Sequence, residues 1–134
     1  RPFIGILFIV NNYEYFAPLT SPKPKHLTMK NMIDFIKIDN GKYGAVNFNN
    51  MIPVMSNNYE LINLENKRKN QKDLKYQNLL IQQLNWLNSN KKQVRNKSYT
   101  LYIKYKNQKL PKNIINRCCN FPLLEEKCKE YNKK

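Results

Sequence analysis

Phe3-Ile4-Gly5-Ile6-Leu7-Phe8-Ile9-Val10-Asn11-Asn12-Tyr13-Glu14-Tyr15-Phe16-Ala17 opens the chain as an apolar run, a polar pair and a second run rich in aromatics. A continuous apolar stretch with no helical spacing suits a strand buried on both faces. Asparagine tolerates positive φ, so Asn11-Asn12 fits a two-residue hairpin turn between Phe3–Val10 and Tyr13–Ala17. A second hairpin comes next, with Ile33–Ile38 and Tyr43–Phe48 flanking Asp39-Asn40-Gly41-Lys42. Its Asn-Gly pair is the strongest short turn signal available. Met51–Met55 reads as a further short strand, and Pro53, having no N–H to donate, places it at an edge or a bulge.

The second half of the chain takes on the spacing of helices. Leu74, Tyr76, Leu79, Leu80, Leu84 and Leu87 are spaced for one helix face, with Lys72, Lys75, Gln77 and Gln82 on the others. Val94 to Tyr105 fits either period, and the face Val94, Leu101, Tyr102 and Tyr105 reads as helix. Over 121–131, Asn120 or Phe121 can cap, Pro122 suits the first turn, and Glu125 and Glu126 complement the helix dipole. Leu124, Cys128 and Tyr131 form its apolar face. Strands first and helices after predict an α+β domain.

A length of 134 residues is enough for one core and too short for two. A central-type strand is an unusual opening for a domain, so the expectation is a single domain over 1–134 whose first strand precedes Arg1. The charge is lopsided. Residues 1–64 carry 6 Lys+Arg and 4 Asp+Glu, whereas residues 65–134 carry 18 and 5, a net of +13. Such a surface seeks polyanions, nucleic acid first among them. Phe3–Val10 falls far short of the roughly 20 residues that span a bilayer and lacks the flanks of a secretory signal. Cys118, Cys119 and Cys128 are odd in number, two are adjacent, and a single His leaves little for zinc, which points to a reducing cytosol.

One loop has the composition of a reactive site. Within Thr20-Ser21-Pro22-Lys23-Pro24-Lys25-His26, two hydroxyls, two lysines and the only histidine lie beside backbone-restricting prolines. Hydroxyl and ammonium donors suit phosphate oxygens, and a stiff loop can hold them against developing negative charge. The plainer reading is a crossing loop whose Ser and Thr bond their own backbone. Other chemistries lack their parts. Gly5, Gly41 and Gly44 are too scattered for a phosphate loop, no carboxylate pair forms a motif, and the cysteines suit small core positions.

Four blocks resemble the ToxN/AbiQ endoribonuclease toxins of type III toxin–antitoxin systems. They are Phe3-Ile4-Gly5-Ile6, Tyr15-Phe16-Ala17-Pro18-Leu19-Thr20-Ser21-Pro22-Lys23, Asn47-Phe48-Asn49-Asn50-Met51-Ile52-Pro53-Val54 and Cys119-Asn120-Phe121-Pro122-Leu123-Leu124-Glu125-Glu126-Lys127. The resemblance implies a strongly bent antiparallel sheet, partly open and MazF/Kid-like, surrounded by helices. It implies a metal-independent, cofactor-free RNase that cuts single-stranded, A-rich RNA through the neighbouring 2′-hydroxyl, leaving a 2′,3′-cyclic phosphate and a 5′-hydroxyl.

On that resemblance Ser21 holds the scissile phosphate or relays a proton, Thr20 positions it, and Lys23 stabilises the transition state. Arg1 falls at a basic active-site position of the family, where its permanent charge makes it an electrostatic clamp rather than a base. His26 is the acid/base by titration chemistry, with a structural or RNA-stacking role as the alternative. The implied partner is a pseudoknot RNA antitoxin that the toxin processes and then holds in a closed toxin–RNA ring, with phage defence by abortive infection as the outcome. Cellular or phage mRNA is the substrate, and neither DNA nor membrane is expected. Lys25, Lys30, Lys67, Arg68, Lys69, Lys91, Lys92, Arg95 and Lys97 are the cations suited to RNA, with tyrosines among them to stack bases. The rival readings are a basic RNA-binding protein without catalysis and, further off, a membrane-surface protein.

Overall fold

The computed structural model describes residues 2–55, 59–62, 64 and 70–132. Six short strands precede the main helices: β1 (Phe3–Ile4), β2 (Ile9–Val10), β3 (Tyr13–Thr20), β4 (Phe35–Lys37), β5 (Ala45–Asn47) and β6 (Ile52–Met55). A short α1 (Pro24–Thr28) interrupts them, and α2 (Gln71–Ser89), α3 (Lys91–Lys106), α4 (Lys112–Arg117) and α5 (Phe121–Asn132) complete the chain order. The α+β expectation holds, with an open antiparallel sheet in the order β1-β3-β5-β4 and β2 and β6 also paired to β3.

Both hairpins form where the turn residues place them. Asn11 and Asn12 adopt φ of 50° and 70°, and Val10 pairs with Tyr13 across them. Asp39, Asn40 and Gly41 likewise take positive φ between β4 and β5. The opening apolar run is not one strand, however. It breaks into β1 and β2 at a bulge, where Leu7 and Phe8 both oppose Tyr15: the Leu7 N–H donates to the Tyr15 carbonyl at 2.9 Å and the Tyr15 N–H to the Phe8 carbonyl at 3.0 Å. Just before it, Gly5 lies against the Phe16 ring, where a Cβ would collide with the aromatic carbons. β6 pairs only with β3, so Pro53 does sit in an edge strand.

β3 organises the sheet. Its neighbours change midway: β2 and β6 flank Tyr13 and Glu14, whereas β1 pairs with Ala17 and Pro18 and β5 with Leu19 and Thr20. Alternate residues face opposite ways. Tyr15, Ala17 and Leu19 join the main core with Ile36, Val46 and the helix residues Leu87, Val94, Leu101 and Phe121. Each such large apolar side chain contributes about 1.5–3 kcal/mol by leaving water.

The helices keep the predicted faces with three corrections, the first being that Tyr131, expected on the apolar face of α5 with Leu124 and Cys128, is exposed. On α2 the buried stripe is Gln77, Leu80, Gln83 and Leu87, so Gln77 lies inside and Tyr76 is exposed. On α5, Asn120 Oδ1 caps through the Leu123 N–H at 3.1 Å, but no acidic residue occupies the first turn. Glu125 instead turns to the sheet and accepts from Tyr15 and Tyr102. Among the described residues no helix is long and apolar enough to cross a membrane.

Candidate active site

Thr20 closes β3 opposite Ala45, and Ala45 is in turn opposite Lys37 of β4. The Thr20 hydroxyl donates to the Ala45 carbonyl at 3.1 Å and accepts from Asn47 Nδ2 at 3.2 Å. Its proton is therefore committed to the sheet, and it gives the adjoining loop a fixed point of departure. Ser21 lies just beyond the strand, exposed, in none of the side-chain hydrogen bonds among the described residues. Its hydroxyl is available to a ligand. Lys23 is exposed at the start of α1, with Pro24 in the first turn.

His26 is buried beneath this loop. Its Nδ1 accepts from the Lys23 backbone N–H at 3.0 Å, and its own backbone N–H donates to the Lys23 carbonyl at 2.9 Å. Nδ1 as acceptor puts the proton of the neutral ring on Nε2. Burial pushes the pKa below the ordinary imidazole value, and the charges of Lys25, Lys23 and Lys37 push it further. A general base needs a free lone pair, and this one is taken up by the backbone. That bond braces the turn that carries Ser21 and Lys23, a positioning role that leaves the Nε2–H proton outside it.

Two further contacts fix the loop from outside. Gln83, buried on α2, donates from Nε2 to the Thr20 carbonyl at 3.3 Å and the Tyr43 carbonyl at 2.9 Å. Gly44, at φ of 91°, lies so close to the Thr20 carbonyl that a Cβ there would overlap it. Asn47, Gln83 and Lys37 are the residues that reading along the sequence did not single out. Asn47 lay within a resembling block, but only strand register shows that it meets Thr20.

The predicted cations separate into groups. Lys91, Lys92 and Arg95 line one groove of about 750 Å³ at the α2–α3 corner, over a floor that includes Ile6 and Leu7. This groove shares Ile4, Gly5, Leu84 and Leu87 with an apolar cavity of about 460 Å³ that also touches Leu19, the neighbour of Thr20. Lys25 and Lys30 are exposed near α1. Lys97 stands apart, half-buried. Burial lowers its pKa and the charge of nearby Asp34 partly restores it. Arg1, Lys67, Arg68 and Lys69 lie outside the described residues.

Asp34 anchors the far side. Arg117 Nε and Nη2 reach its two oxygens at 2.6 and 2.9 Å, and Asn49 Nδ2 adds a bond at 2.8 Å. Burial pushes this carboxyl up, but the hydrogen bonds from Arg117 and Asn49 outweigh it and hold the pKa below the usual range. Cys118 beside it is pushed up to about 11, by burial first and by Asp34 and Cys119 next, so its thiol stays protonated and unreactive near neutrality. Among the described residues no three His, Cys, Asp or Glu side chains gather into a group able to hold a metal.

Known proteins show the same arrangement of chain. The endoribonuclease ToxN of Bacillus thuringiensis subsp. kurstaki is 33% identical over 138 aligned residues, covering 100% of this chain and 70% of that protein. A solved structure from work on selective toxin inhibition by a non-coding RNA pseudoknot in type III systems superposes with a TM-score of 0.80 at 33% identity, over 100% of this chain and 81% of that one. AbiQ, a lactococcal anti-phage endoribonuclease of a type III toxin–antitoxin system, superposes with a TM-score of 0.76 at 25% identity, over 98% and 80%. The family of ToxN toxins of type III toxin–antitoxin systems matches residues 1–129. With the family match running over nearly the whole length and a relative one-third identical across it, this chain belongs to the ToxN family of type III toxin–antitoxin toxins.

Proposed function

We propose that the chain is a metal-independent endoribonuclease whose cleavage site is the Thr20–Ser21–Lys23 loop. The observation that carries the reading is the division of labour between two adjacent hydroxyls. Thr20 is pinned by Ala45 and Asn47, whereas Ser21 beside Lys23 is exposed and makes no side-chain hydrogen bond among the described residues. In such a reaction the RNA 2′-oxygen attacks phosphorus in line, the P–O5′ bond breaks, and the products are a 2′,3′-cyclic phosphate and a 5′-hydroxyl. The protein must orient the phosphate and stabilise its added charge. Ser21 donates to a non-bridging oxygen, Lys23 neutralises charge, and Thr20, with His26 below, sets their positions. Arg1 would add a further fixed positive charge.

The antitoxin in this reading is a folded RNA, a pseudoknot repeat held in a closed ring with the toxin, and abortive infection in the cytoplasm is the biological outcome. A relative inhibited by a non-coding RNA pseudoknot supports it. The groove of Lys91, Lys92 and Arg95 supplies charge for that partner, and its apolar floor suits unpaired bases. Single-stranded A-rich substrate and a MazF/Kid-like bend of the open sheet complete the proposal.

The test is cleavage of a labelled single-stranded RNA in EDTA by the parent and by Ser21→Ala. Fragments ending in 2′,3′-cyclic phosphate from the parent, and at least ~10²-fold less from Ser21→Ala, are expected for a lost oxyanion donor. Activity that disappears on chelation and returns with Mg²⁺ would overturn the metal-free chemistry. RNA bound with a steep salt slope but never shortened would make the chain a binder instead.

A further inference from the structure

Lys37 ends β4, two strands away from Thr20 and on the same cross-strand row. Ala45 pairs with Thr20 on one side and Lys37 on the other. Directly opposed residues of antiparallel strands project from the same face. The adjacent row confirms the parity, since Leu19, Val46 and Ile36 all turn into the core. Lys37 therefore shares the face on which Asn47 meets the Thr20 hydroxyl. It is half-buried, and its backbone is held by the Asn31 side chain, which accepts from its N–H at 2.8 Å.

The surroundings are cationic. The ammonium groups of Lys25, Lys23 and Lys37 all bear on the buried His26. Two ion pairs occur among the described residues, Asp34–Arg117 and Lys127–Glu130, and neither involves any of these lysines. Lys23 and Lys25 are exposed and Lys37 is half-buried, so three like charges surround one buried ring and repel one another unless an anion joins them. A solvated surface lysine would be fully exposed, whereas Lys37 is half-buried and rises from a strand.

We propose that Lys37 is a further catalytic cation, forming with Lys23 and Lys25 a site for the phosphate group of an RNA phosphodiester at the Thr20–Ser21 end of the sheet. The proposal rests on reading that loop as the cleavage site. The phosphorane formed by 2′-oxygen attack carries one more negative charge than the bound diester. A half-buried lysine rising from the sheet has less freedom to lose when it meets that charge than one on a mobile loop.

The test combines kinetics with a binding readout on the full chain. Lys37→Met should lower single-turnover cleavage by ~10²-fold, as for other preorganised charge-stabilising groups. Lys37→Arg should recover most of the loss. The thermal midpoint should stay level or rise in Lys37→Met, since repulsion is relieved, and affinity for a 2′-O-methyl RNA should change little. In a Ser21→Ala background, inorganic phosphate is the probe: it should raise the His26 pKa tracked by NMR, and Lys37→Met should abolish that response. Parent-like cleavage by Lys37→Met, or a phosphate response that survives the substitution, overturns the proposal. If Ser21→Ala cleaves normally while the phosphate response still depends on Lys37, the cleavage-site reading fails and the anion site stands.

Discussion

The Tyr15 hydroxyl donates to Glu125 Oε2 at 2.5 Å across 110 residues of sequence, and the Tyr102 hydroxyl reaches the same oxygen at 2.6 Å. One carboxylate oxygen thereby joins β3, α3 and α5. Burial and then the hydrogen bond to Glu125 push both tyrosine pKa values well above the ordinary phenol value, so both remain donors. Phe8 stacks on Tyr15 with ring centroids 4.7 Å apart, and Phe121 meets Tyr15 edge-on at 6.1 Å, which closes the apolar wall around the node.

Removing a donor should therefore be felt in stability. Tyr15→Phe is expected to cost about 1.5–3 kcal/mol, the usual value of a hydrogen bond to a charged group. Because both tyrosines share one oxygen, adding Tyr102→Phe should give a non-additive loss. Urea midpoints of the single and double variants measure it, and strict additivity would mean that the two bonds act independently.

For His26 the positioning and proton-transfer roles give opposite results with one substitution. Gln at the third helical position of a capping motif can accept from the N-cap backbone N–H. His26→Gln should thus keep cleavage near the parent level, with His26→Ala lower. A proton-transfer role would instead cost roughly 10²–10⁴-fold in both variants. Initial cleavage rates at one pH decide.

The same residue sets an acid limit. Its folded pKa lies below the 6.5 of the unfolded chain, so below pH 6.5 the unfolded state takes up a proton that the folded state refuses. The stabilisation is full above that pH and declines as pH falls toward the folded value. Comparing thermal midpoints of the parent and His26→Gln between pH 7 and pH 5 should show a steeper fall in the parent (roughly the interval below an ordinary imidazole pKa).

Charge on the corner groove should set the salt dependence of RNA binding. Replacing Lys91, Lys92 and Arg95 together by Gln should reduce the slope of log affinity against log salt by roughly 2, at about 0.7 per lost single-strand phosphate contact. Lys97→Gln should leave the slope unchanged, because that side chain is half-buried and does not line the groove. An unaltered slope in the triple variant would place the RNA elsewhere.

Local signals were legible and long-range ones were not. The Asn11-Asn12 and Asp39–Lys42 turns could be read because positive φ is a property of the residues themselves. The loop from Thr20 to His26 stood out by composition, but its function as a site depends on Asn47, Gln83 and Lys37, which arrive through register and helix packing. Gln77 and Gln83 were hidden by the habit of counting only apolar residues toward a buried face. Both are inside because each amide meets a backbone carbonyl: Gln77 that of Leu64, Gln83 those of Thr20 and Tyr43. At six residues, α4 is too short to show a period.

The change of partners midway along β3 limits how the gene can drift in length. A strand alternates its faces, so one residue gained or lost within Tyr13–Thr20 would exchange the two sets of side chains beyond that point. Upstream, the change would separate Tyr15 from Glu125, and downstream it would turn Thr20 away from Asn47. Because different strands bind the two halves, no sliding of a single neighbour could compensate. Insertions and deletions should therefore be absent from this strand in working variants, even where its individual side chains are replaced.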